Sequence, residues 1–198
     1  IELVGFLPMA IVSGLFFGFV ALAYMQALSR GPQLFARTKI PPNYLIFVGA
    51  IICGTAGMFY PEVLGIGTSI INAMLNVEVT LNYVVIFLFL KLLLTTVCLS
   101  TGFFGGVFSP ALFIGAAAGM TFAGLLALTG LETNYSVLAL CGMASVGASV
   151  IGTPIAGVIL VVELSNNYDL GVISIVSIAS ATLITYLFFG QSLFDRQL

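Results

Sequence analysis

The run Gly105-Gly106-Val107-Phe108-Ser109-Pro110 lies inside one of the most apolar regions of the chain, and its residue types suit a helix boundary better than a helix interior. Proline is accommodated in the first helical turn, where its missing N–H removes nothing. Serine is a favoured N-cap, and the following ALFIGAAAGMTFAGLLAL reads as a helix. The run therefore predicts a helix start near 107–110, with Ser109 capping it and Pro110 in the first turn. The first N–H groups of a helix have no intrahelical partner and carry a partial positive charge. Gly105 and Gly106 let a ligand approach bare backbone. If the start lies at membrane depth, the chemistry on offer is the holding of a small anion by amide groups, with no lysine or arginine required. Partial charges also allow the anion to leave, where a fixed full charge would retain it. A capped helix at an ordinary surface loop is the alternative that this run alone leaves open.

A second break stands at Gly152-Thr153-Pro154, again followed by helix-forming sequence. Two charges fall within apolar runs, Lys91 in FLFLKLLL and Glu163 in VVEL. Intramembrane charges are functional candidates, but a structural ion pair or snorkelling to the interface is the more economical reading; the two could pair with each other. Glu62 and Glu132, in loop-like contexts, read as solvated. The chain has no histidine, which removes the commonest metal ligand. Cys53, Cys98 and Cys141 are far apart in sequence and match no zinc or redox spacing, so they read as small buried hydrophobes. No metal, nucleotide or organic cofactor motif is present.

The elements that must position these residues are set by composition. Of the 198 residues, 61% are hydrophobic and 6% charged, against roughly a quarter charged in soluble domains. So few charges cannot cover a soluble surface, and the solvent for most of the chain is a lipid bilayer. A net charge of −2 offers nothing to nucleic acid. The chain opens at Ile1 directly in apolar sequence with no signal-peptide pattern, and is expected to be a piece of a longer protein. Apolar runs cover about 3–28, 44–60, 66–77, 79–99, 107–129, 135–151, 154–165 and 170–189. Several fall short of the about 20 residues that a span needs, and Gly or Pro interrupts others. This pattern predicts broken, tilted and re-entrant helices lining a pathway, since non-helical backbone survives at membrane depth only inside protein or beside water. Arg30, Arg37 and Lys39 in a polar loop at 29–43, with Arg196 near the other end, place that loop and the C-terminus on the cytoplasmic side. Gly14 with Gly18, and Gly115 with Gly119, read as close helix contacts.

Taken together, STGFFGGVFSPALFIGAAAGM at 100–120 and GMASVGASVIGTPIAGVILVVELSNNY at 142–168 resemble the CLC family of chloride channels and chloride/proton exchangers. Gly106, Phe108 and Pro110 look like the family's GxFxP motif; Pro154, Glu163, Asn167 and Tyr168 look like its proline-started helix ending in a glutamate and an NY pair. PEVLGIGTSII at 61–71 and GQSLFDRQL at 190–198 are also similar. CLC subunits consist of two related halves of opposite orientation, and the resemblance covers the second half only. It implies that the family's central serine, gating glutamate and proton-transfer glutamate belong to an N-terminal half absent from this chain. It implies that the N–H groups of Val107 and Phe108 contact the central chloride, and that Phe194 stands where the family often has a tyrosine hydroxyl donor. Phenylalanine cannot donate that bond. A chloride titration comparing Phe194→Tyr with the wild type tests whether the missing donor weakens binding.

The expected fold is therefore all-α and membrane-embedded, with tilted and broken helices forming residues 1–198 as one half of an inverted-repeat CLC-type fold. The expected function is passive or proton-coupled transport of chloride or a similar small anion. The resemblance also implies a homodimer, with the region around 154–189 in the contact. The rivals are a different broken-helix carrier, which needs carboxylates at the breaks where only Glu163 is a candidate, and a non-transporting membrane scaffold. An enzyme is not expected, because no catalytic cluster of side chains is visible.

Overall fold

The computed structural model describes residues 3–190, apart from 39 and 132. Among the described residues, eight α-helices follow one another: α1 (Leu3–Ala36), α2 (Pro42–Phe59), α3 (Thr68–Leu75), α4 (Leu81–Ser100), α5 (Phe108–Leu128), α6 (Tyr135–Ile151), α7 (Pro154–Ser165) and α8 (Tyr168–Phe189). A 3₁₀ turn, Pro61–Val63, lies between α2 and α3. No strand occurs among the described residues. Among the described residues, four helices are long and apolar enough to cross a membrane, at Leu7–Ala36, Leu81–Ser100, Phe108–Leu128 and Tyr168–Phe189; α2, α6 and α7 are apolar but shorter. Large apolar side chains stand exposed on the outer helices, among them Met58, Ile155, Leu128 and Phe188, as expected for an integral membrane protein.

The core is the pair α5–α6. Every residue of α6 from Val137 to Val150 is buried, so this helix is apolar all round because protein surrounds it all round. Its packing on α5 runs through small residues. A Cβ on Gly115 would lie 2.7 Å from the Met143 Cα, and one on Gly119 2.5 Å from the Ala139 Cα. The same device joins α1 to α8, where a Cβ on Gly14 would lie 2.5 Å from the Ser177 carbonyl and one on Gly18 2.8 Å from the Ile184 Cβ. Both glycine pairs thus let backbones approach, as their spacing predicts. Between α6 and α8, the buried Ser145 and Ser177 hydroxyls share a hydrogen bond of 3.1 Å.

The break at Gly152 has a local cause. Gly152 takes a left-handed conformation (φ 83°), which glycine adopts without penalty. The N–H groups of Gly152 and Thr153 both fold back onto the Ala148 carbonyl, at 2.8 and 3.0 Å. Pro154 then opens α7 at the first helical position.

The polar loop expected at 29–43 is shorter than its composition suggests. α1 continues through Gly31 and Pro32 to Ala36. Tertiary packing overrides the two breakers: Gly31 is buried against α4, and a Cβ there would lie 3.0 Å from the Thr96 Cγ2. Lys39, Glu132, Phe194, Arg196 and the GQSLFDRQL resemblance beyond Gly190 lie outside the described residues.

Candidate functional site

α4 ends at Ser100, and the chain then runs without helical structure until α5 begins at Phe108. The Phe103 N–H bonds back to the Cys98 carbonyl at 3.1 Å and Gly102 takes a positive φ of 99°, which turns the backbone out of α4. From Gly102 to Gly106 every residue is exposed. Gly106 has nothing within 4 Å of where a Cβ would be, and Gly105 meets only the Leu99 side chain at 3.7 Å. The first backbone bond into α5 is Ala111 N–H to the Val107 carbonyl at 3.2 Å. Among the described residues, the N–H groups of Gly105, Gly106, Val107, Phe108 and Ser109 have no hydrogen-bond partner. They form a row of unsatisfied donors on an open stretch of backbone.

The helix start agrees with the sequence expectation, but the cap does not. The capping position is Val107, with no side-chain cap bond. Ser109 is the second helical residue, and its hydroxyl donates to the Ile66 carbonyl at 3.3 Å. A serine already inside the helix has lost the extended backbone that N-capping needs, so Ser109 ties α5 to the turn ahead of α3 instead. Pro110 sits in the first turn.

Two contacts that sequence reasoning missed fix this segment. The fully buried Tyr24 of α1 donates its hydroxyl to the Val107 carbonyl at 3.3 Å. Tyr24 lies far from either end of the candidate span Leu7–Ala36: about 26 Å from the first residue and about 18 Å from the last at the usual helical rise. The start of α5 is therefore held well inside the length of α1. The second contact is Lys91, which is 4% exposed. Its ammonium donates to the Val63 and Gly65 carbonyls, each at 2.7 Å, and lies 5.1 Å from the centre of the Phe113 ring. The suggested Lys91–Glu163 pair does not form; Glu163 is exposed on α7. Lys91 serves instead as a clamp on the turn that Ser109 also touches. No sequence signal marks such a clamp, because every residue carries a carbonyl.

Lys91→Met keeps an unbranched apolar stem of similar length and removes the donors. Two carbonyls are then left without partners, at about 1–3 kcal/mol each, and the thermal midpoint in detergent should fall clearly below that of the wild type. An unchanged midpoint would mean that water or lipid headgroups satisfy those carbonyls.

Lys91, Cys53, Gly105, Gly106 and Ser109 line one face-open cavity of about 530 Å³. Among the described residues, no group of three or more His, Cys, Asp or Glu side chains is placed to hold a metal ion.

Residues 3–186 match the family model described as "Voltage gated chloride channel". Among curated proteins, the chain is 29% identical over 161 residues to an H(+)/Cl(−) exchange transporter ClcA of Vibrio campbellii, covering 79% of this chain and 34% of that protein. It is 29% identical over 195 residues to the protein of the same name from Citrobacter koseri, covering 93% and 40%. The chain thus spans well under half the length of these relatives. Among solved structures, a slow cyanobacterial Cl−/H+ antiporter superposes with a TM-score of 0.81 at 21% identity, over 96% of this chain and 46% of that one. A CLC-type fluoride/proton antiporter superposes with a TM-score of 0.80 at 25% identity, over 100% and 47%.

Proposed function

Since this chain belongs to the voltage-gated chloride channel family, we propose that it forms the C-terminal half of a transport unit in which chloride, or a similar small anion, is held by backbone amides at the start of α5. The observation that carries this reading is the row of unpartnered N–H groups from Gly105 to Ser109, on a helix start that Tyr24 holds well inside the length of α1. Val107 and Phe108 supply the contact amides. Gly105 and Gly106 keep side chains out of the anion's way. By the family resemblance, Phe194 replaces a residue whose hydroxyl would otherwise donate to the anion. An anion at a helix N-terminus meets both oriented donors and the positive end of the dipole, and partial charges release it again.

The remaining wall of the pathway comes from the N-terminal half of the same protein. Two such subunits form a homodimer through the region 154–189, where Ile155, Ile159, Tyr168, Ile175 and Tyr186 stand exposed. The stretch 29–43 and the C-terminus face the cytoplasm, in keeping with Arg30, Arg37, Lys39 and Arg196.

The test is anion flux from liposomes containing the full-length protein, with internal pH followed at the same time. Chloride efflux with coupled proton movement identifies an exchanger, and efflux without it a channel or uncoupled carrier. No anion flux from demonstrably folded protein rejects transport altogether. Tyr24→Phe provides a finer check. It removes one hydrogen bond to the Val107 carbonyl, worth about 1 kcal/mol, and should weaken chloride binding about fivefold while leaving the fold intact. A chloride titration showing no change would separate Tyr24 from the positioning of the amides.

A further inference from the structure

We propose that Cys53 and Cys98 are a reversible disulfide site that fastens α2 to the C-terminal end of α4, at the root of the Gly102–Val107 segment. The two residues lie 45 positions apart in sequence, yet their sulphur atoms are 2.9 Å apart. Both are free, half-buried thiols that line the cavity shared with Gly105 and Gly106. Cys141 is buried in α6 and lines no part of that cavity, which confines the chemistry to the pair. No third ligand of the His, Cys, Asp or Glu type accompanies them among the described residues, which favours covalent pairing over metal capture.

The position gives the bond a consequence. The Cys98 carbonyl accepts from Phe103 N–H at 3.1 Å and so holds the first turn of the exposed segment. One helical turn before Cys53, Gly49 packs on the same place: a Cβ there would lie 3.0 Å from the Thr101 Cβ and 3.2 Å from the Phe103 ring. In the described structure α2 packs chiefly on α4 and the 3₁₀ turn, so its contact with the rest of the fold is slight. A disulfide would convert this contact into a fixed hinge beneath the amide row.

The chemistry is thiol–disulfide exchange with a low-molecular-weight disulfide as oxidant. One cysteine thiolate attacks the small disulfide, whose S–S bond breaks and releases one small thiol. The second cysteine attacks the mixed disulfide and releases the other. The protein thiols lose two electrons and two protons, and the oxidant leaves as two thiols.

The inference that the bond controls flux rests on the transport reading above; the inference that the bond forms does not. Full-length protein in liposomes is treated with hydroxyethyl disulfide, alkylated and mapped by mass spectrometry. Chloride flux is read on the same samples before oxidation, after it, and after reduction. The expected result is a linked peptide pair containing Cys53 and Cys98, absent in Cys98→Ser, with flux lowered about fivefold or more, the lower end of the range for coupled sites, and recovered on reduction. Recovery of both cysteines as alkylated thiols from oxidised, folded protein overturns the proposal. A linkage that forms without changing flux overturns the control of the segment. The comparison of oxidised with reduced wild type needs no variant to fold. If the reduced protein carries no chloride at all, the transport reading fails, and peptide mapping still decides whether the thiol pair closes.

Discussion

Gly119→Val destabilises the folded protein severely. The first added carbon would lie 2.5 Å from the Ala139 Cα, and the Leu138 carbonyl is closer still. Both neighbours are backbone, so no side-chain rotation makes room. Gly142 answers from the other helix, where a Cβ would lie 3.0 Å from the Gly119 Cα. The two helices can accept valine only by separating, and α6 is buried along almost its whole length. Overpacking a core typically costs about 1–3 kcal/mol, and more where backbone must move, against a stability of about 5–15 kcal/mol for a typical domain. Size-exclusion chromatography of the full-length protein in detergent should show a diminished monodisperse peak, with the balance as aggregate, and a lowered thermal midpoint. Gly54→Ala serves as the control, because nothing lies within 4 Å of a Cβ at Gly54. A monodisperse Gly119→Val protein with the wild-type midpoint would contradict the packing described for α5 and α6.

Val107→Pro should remove most of the anion affinity while leaving the fold standing. The Val107 N–H has no partner among the described residues, so its deletion breaks no internal bond. Its φ of −93° lies close enough to the range of proline for the ring to fit with a small adjustment, and the preceding Gly106 can adapt to the restriction that proline imposes. What is lost is one donor to the bound anion. Hydrogen bonds to charged groups are worth about 1.5–3 kcal/mol, so chloride affinity should fall about 10–150-fold. Calorimetric titration of chloride into the full-length protein measures the change directly. Equal affinity in the two proteins would remove Val107 from the anion contact.

The parts of this architecture that were legible in the sequence are those written in local chemistry. Proline and glycine act on their own backbone, so the helix starts at Phe108 and Pro154 and the break at Gly152 could be read directly. Small residues at helical spacing identified the close contacts of Gly14, Gly18, Gly115 and Gly119 before any partner helix was known. What could not be read depends on partners distant in sequence. The Tyr24–Val107 bond spans 83 positions and the Lys91–Val63 bond 28. In both the acceptor is a carbonyl, which no residue type advertises. Cys53 and Cys98 match no motif because their proximity comes from two helices crossing. Ser109 was assigned a cap because its type fits one; its hydroxyl instead reaches Ile66, which only the tertiary structure brings within range. The open, unpartnered backbone of Gly105–Phe108 follows from its glycines, whereas its depth follows from Tyr24.

The enclosure of α6 also bears on how the protein answers to its bilayer. A helix of 17 residues is about 26 Å long, shorter than a hydrocarbon core of about 30 Å, and on a lipid-facing surface that shortfall would thin the membrane or force a flanking group inward. With protein on all sides, α6 has no bilayer thickness to match. Changes in acyl-chain length should therefore act first on the tilt of the longer outer helices, while the glycine-locked register of α5 against α6 stays constant. The amide row at the start of α5 is mounted on the part of the molecule most insulated from its membrane.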